Sequence, residues 1–178
     1  METADRIDSD ERLRELIAAL AGPDPVARER SREALVAAGT CAVTRALVIE
    51  LSDPRRGVRW EAAKALAVIA DPISAPALVD ALDDDDDDVR WIAAEGLVAM
   101  GREGLLTVLS GLIKRAQSLA FCRGAHHVLH DLVHIRCPQK RLDSAAIAPV
   151  LNALEQTEPA VMAPAAAMKA LRLLKVGD

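Results

Sequence analysis

The 178-residue chain is predicted to be all-α, an α-α superhelix of about five antiparallel helix pairs. Three observations carry that prediction. Alanine fills 34 positions and leucine 23, and both are strong helix formers. Aromatic residues are scarce, with only Trp60, Trp91 and Phe121, whereas β-sandwiches and barrels call for aromatic and β-branched residues on pleated faces. Finally, a segment repeats. Val58 to Leu66 reads VRWEAAKAL and Val89 to Leu97 reads VRWIAAEGL, identical at six of nine positions at an offset of 31 residues.

The same offset backwards reaches Ala27 to Leu35, ARERSREAL, which keeps the arginine, an alanine and the leucine. An offset of 32 forwards reaches Phe121 to Leu129, FCRGAHHVL, and a fifth copy is expected within Pro159 to Lys175. Between these copies, apolar residues at helical spacing predict partner helices over Asp10 to Leu20, Thr40 to Leu51, Ile73 to Leu82, Glu103 to Ser118 and Asp143 to Glu155. Turn signals divide the elements: Gly22-Pro23-Asp24-Pro25, Ser52-Asp53-Pro54, Asp71-Pro72 and the aspartate run from Asp83. One helix pair cannot bury its apolar face alone, so the pairs must stack into a continuous core. The expected organisation is a polar tail over residues 1–8 and one repeat domain over residues 9–175.

The unit Asp-Pro-x-x-x-Val-Arg-x-x-Ala-Ala-x-x-Leu at Asp53 to Leu66, echoed at Asp84 to Leu97, resembles the short bacterial HEAT-like repeat, a type also found in phycobilin lyases. The resemblance covers roughly residues 9 to 175 and implies a solenoid whose second helices line the concave side. It specifies a scaffold and carries no catalytic residue. HEAT-like di-iron hydroxylases use His-Glu dipeptides, and this sequence has none.

A net charge of −5 is the wrong sign for a dedicated nucleic-acid binder. The longest uncharged stretches, Gly104 to Ile113 and Pro159 to Met168, fall short of the roughly 18 residues that a membrane span needs. The polar, acidic first ten residues do not resemble a secretory signal. Three cysteines without Cys-x-x-Cys spacing argue against a disulfide framework or a thiolate zinc site. A cytoplasmic protein is expected, with no nucleic-acid or membrane partner and no assigned cofactor.

On a helical wheel, Val58, Ala62, Ala65, Leu66 and Ile69 share the core face, as do Val89, Ala93, Gly96, Leu97 and Met100, and Phe121, Ala125, Val128, Leu129 and Leu132. The opposite face forms columns across the repeats: Glu29, Trp60, Trp91 and Arg123; Glu33, Lys64, Glu95 and His127; Val36, Ala67, Val98 and His130. Both tryptophans should therefore lie side by side on an open face. Exposed aromatics offer wide contact area with few rotatable bonds. Trp60, Trp91, Lys64, Glu95, Arg123 and His127 are thus the expected partner-binding residues of a non-enzymatic scaffold. Arg28, Arg59 and Arg90 recur at the repeat period and are read as structural, bridging to aspartates of the preceding turns.

All four histidines fall between positions 126 and 134. His127, His130 and His134 share a face, with His126 and Cys122 turned toward the next repeat. One helix can present two of the three imidazoles to an ion, since His127 and His134 stand more than about 10 Å apart along the axis. Glu95 is the evident ligand from elsewhere. The runner-up function is therefore a metal- or ligand-binding enzyme or carrier, tetrapyrrole-lyase-like, using His127, His130, His134 and Glu95. A Cys122–His126 nucleophile is disfavoured against an inert buried thiol.

Asp83 to Asp88 is read as a solvated turn whose later members cap a helix. The basic segment Arg136 to Leu142 is expected to act as a hinge. The last helix lacks the polar outer face that a solenoid end needs, which predicts a contact there, most simply a homodimer.

Overall fold

The computed structural model describes residues 10–134 and 144–176. Ten α-helices lie among them: α1 (Asp10–Ala19), α2 (Pro25–Ala38), α3 (Cys41–Glu50), α4 (Arg56–Ile69), α5 (Ala75–Ala81), α6 (Asp87–Ala99), α7 (Arg102–Arg115), α8 (Leu119–His134), α9 (Ser144–Leu154) and α10 (Pro159–Val176). The expected tail over residues 1–8 and hinge over 136–142 lie outside the described residues.

The helix limits follow from side-chain caps. Asp24 accepts from the Val26 N–H, Pro25 opens α2, and Gly39 closes it in the left-handed conformation. Thr40 caps α3. Asp71 caps the single 3-10 turn Pro72–Ser74 that leads into α5, so α5 is shorter than the periodicity predicts. Asp86 caps α6 by accepting from the Asp88 and Val89 N–H groups.

The pairs stack in two layers. Helices α2, α4, α6 and α8 pack against one another in succession, while α1, α3, α5 and α7 form the other layer. Leu35, Leu47, Leu66, Leu78, Leu97, Leu109, Phe121 and Leu129 are fully buried between the layers. The predicted core faces are confirmed, with Ile69 and Met100 only partly buried at the edge. Close approach of α6 to its neighbours requires Gly96, where a Cβ would stand 3.2 Å from the Ala67 Cα and 3.0 Å from a Leu78 methyl.

The fifth pair departs from the expected pattern. Helix α9 packs beside α8, and α10 packs against α7 and α9. The copy expected in Pro159 to Lys175 therefore does not continue the second-helix layer but crosses to the first. Small residues explain the seat: Ala163, Ala167 and Ala170, with Leu174, form the buried stripe of α10. The Arg102 guanidinium then donates to the Leu174 carbonyl at 3.0 Å. Among the described residues, no helix is long and apolar enough to cross a membrane.

Candidate functional site

The recurrent arginines set the phase of the repeats. Arg28 donates to the Gly22 and Pro23 carbonyls at 2.9 and 3.1 Å, and Arg59 to the Asp53 and Pro54 carbonyls at 3.1 and 3.3 Å. Arg90 donates to the Asp84 carbonyl. Each side chain thus clamps the turn that precedes its own helix. Two of the three also reach forward. Arg28 Nε lies 3.5 Å from Glu61 of the next repeat, and Arg59 makes a two-pronged contact with Asp84 at 2.7 and 2.9 Å and also meets Asp85. The expectation of bridges to aspartates of the preceding turn holds for Arg90, which pairs with Asp87 of the aspartate run, and is corrected for Arg28 and Arg59, where the preceding turn offers its carbonyls and the carboxylates belong to the following repeat.

The aspartate run is an exposed turn at Asp83, Asp85, Asp87 and Asp88, as expected, but most of its carboxylates are also engaged by neighbouring side chains. Asp83 accepts from Ser118, Asp84 and Asp85 from Arg59, Asp86 from Arg56 at 2.7 Å, and Asp87 pairs with Arg90. Burial alone would raise the Asp84 pKa, but hydrogen bonds from Arg59 and the Asp86 N–H leave it below the usual value. The Arg56 hydrogen bond lowers that of Asp86. Sequence reasoning missed a further bridge, in which Arg32 donates to the buried Glu61 at 2.5 Å across α2 and α4.

On the second-helix face the two tryptophans behave differently. Trp60 is half-buried and packs against the core, with the Lys64 ammonium 4.5 Å from its ring centroid. That is cation–π geometry. Trp91 is 57% exposed and its ring lies 4.5 Å from that of His127, tilted by 49°. The two indoles thus have different neighbours, a lysine for Trp60 and an imidazole for Trp91. They also face separate hollows. Trp60 lines one of about 450 Å³ with Arg28, Arg56 and Asp86, and Trp91 lines one of about 380 Å³ with Arg90, Arg123 and His127. Arg123 is exposed and has no ion pair or hydrogen bond among the described residues. In the third column Val98 is buried, so the open face narrows to the first two columns there.

Glu95 and His127 meet across the column, Oε1 to Nε2 at 3.1 Å, so repeats three and four stack in phase. The other imidazoles go elsewhere. His126 Nε2 lies 3.4 Å from Glu155, just past the end of α9, His130 Nδ1 lies 3.2 Å from Asp131 Oδ1, and the His130 and His134 rings are 4.8 Å apart. Neither His130 nor His134 joins Glu95 and His127, which corrects the expected ligand set. Asp131 joins them instead, its Oδ2 3.9 Å from His127 Nε2. The signal for it was its place four residues after His127. Cys122 is buried, donates to the Ala116 carbonyl at 3.4 Å, and has its pKa raised by burial and by Asp83, as suits an inert thiol.

No curated protein matches the chain. The family model for HEAT repeats matches residues 13–98 and again residues 44–130, the span in which the turn-clamping arginines and both indoles lie. By that match and by its stacked helix pairs, the chain belongs to the HEAT-repeat family.

Proposed function

We propose that this HEAT-repeat scaffold is a non-enzymatic, cytoplasmic interaction protein that binds a protein partner on its second-helix face at Trp91. The observation that carries the reading is the exposed indole, held against His127 beside Arg123, which has no ion pair among the described residues. An aromatic anchor with an adjoining guanidinium suits a partner that offers an apolar side chain next to a carboxylate. Trp60, Lys64 and Glu95 form the neighbouring rim, which shapes the contact more than it anchors it. The test is a cross-linking pull-down with the unaltered chain and with Trp91→Ala plus Arg123→Ala, both checked for helicity by circular dichroism. Partners lost from the folded double variant support the reading, and partners captured equally by both refute it.

A second contact is favoured by α10, which leaves Val161, Met162, Met168 and Leu173 exposed. Exposed apolar side chains at a solenoid end form a surface that a second copy of the chain covers. Sedimentation at rising concentration should show a dimer, and Met162→Glu plus Leu173→Glu should abolish it. A concentration-independent monomer would refute self-association.

A further inference from the structure

We infer that Glu95, His127 and Asp131 form a three-ligand site for zinc(II), on the groove between α6 and α8. One ligand atom from each residue lies within 4.8 Å of the others. His127 Nε2 stands at the centre, 3.1 Å from Glu95 Oε1 and 3.9 Å from Asp131 Oδ2. Zinc bonds to nitrogen and carboxylate oxygen are about 2.1 Å, which puts neighbouring ligand atoms about 3.0–3.4 Å apart. The Glu95 pair already has that spacing. Rotation of the Asp131 carboxylate about its terminal torsion, which is broad, closes the longer gap.

Two carboxylates, one from α6 and one from α8, converge on that single nitrogen, and a mixed imidazole and carboxylate donor set of this kind suits a divalent ion. The surroundings suit a metal site too. The side chains are partly withdrawn from solvent, at 31%, 24% and 19% exposure for Glu95, His127 and Asp131. Asp131 is oriented by His130 through its other oxygen, and the His127 ring is held against Trp91. Supports of this kind fix ligand geometry. One imidazole and two carboxylates with no thiolate select a borderline divalent ion, and three protein ligands leave a position open to the groove. Arg123 lines the hollow beside His127, so an anionic group arriving at the open position would meet a guanidinium as well.

The site was legible only in part from the sequence. Glu95 and His127 share a column, and Asp131 follows His127 by one helical turn. The pairing of all three needs the lateral register of α6 against α8.

The test uses the full chain stripped of metal. Titration with zinc, followed by calorimetry, should show one saturable equivalent. His127→Ala and Asp131→Asn should each weaken it at least about tenfold, while His126→Ala and His134→Ala leave it unchanged. A second readout is independent of heat. In a Trp60→Phe background only Trp91 emits, and cobalt(II) at this site should quench it saturably because the His127 ring is 4.5 Å away. Absence of a saturable equivalent, or binding and quenching that survive in His127→Ala or Asp131→Asn, overturns the assignment.

Discussion

Arg59→Ala is the sharpest test of how the repeats hold together. The side chain donates to two carbonyls of its own turn and grips Asp84 of the next repeat. Both charged groups are largely buried, Arg59 at 11% and Asp84 at 8% side-chain exposure. Truncation frees the two carbonyls, which lie at the chain surface and can take up water. It also strands the Asp84 carboxylate. A charge-assisted hydrogen bond contributes about 1.5–3 kcal/mol, and a buried charge left without its partner costs about 3–5 kcal/mol. Asp84 keeps the Asp86 N–H at 2.9 Å, which places the expected loss near the lower end, about 3 kcal/mol. Urea denaturation followed by circular dichroism measures it. The double variant Arg59→Ala plus Asp84→Ala should be more stable than Arg59→Ala alone, since the stranded charge has gone. Arg56→Ala, which loses an exposed pair with Asp86, should leave the midpoint almost unmoved. A loss below about 1 kcal/mol for Arg59→Ala, or strict additivity in the double variant, would refute the clamp.

Further outcomes follow from the same geometry. Acid should destabilise the fold through these turns: the Arg55 hydrogen bond, chiefly, lowers the Asp53 pKa to about 2, and those of Asp84 and Asp86 are lowered too. Their contribution is complete above the unfolded carboxylate value of about 3.9 and is lost as pH falls toward about 2. Urea midpoints measured across that window should therefore decline, and less steeply in Asp53→Asn. Gly104→Ala should cost more than about 2 kcal/mol, because a Cβ there would stand 1.9 Å from the Leu97 carbonyl oxygen, a backbone atom with no room to yield; thermal unfolding reads this directly. In thiol labelling mapped by mass spectrometry, exposed Cys41 should react well before buried Cys122, whose pKa is raised. Equal rates would show that α8 opens freely.

The all-α fold, the phase of the repeats and the core faces of α4, α6 and α8 were legible because they depend on local order. Helix propensity, a 3.6-residue apolar period and the 31-residue offset are properties of neighbouring positions. The Glu95–His127 contact was legible for the same reason, since equal spacing in two stacked copies brings equivalent residues side by side. The partners of long side chains were not. Arg59 reaches forward to Asp84, Lys64 folds over Trp60, and Trp91 rests on His127, although a column assignment treats the two indoles as equivalent. Their flexible stems choose among several neighbours by burial and charge, and those neighbours exist only once the layers have packed. The crossing of α10 onto α7 belongs to the same class. Its alanine stripe does not by itself name a layer, and the space left by the other described helices seats it on α7 and α9.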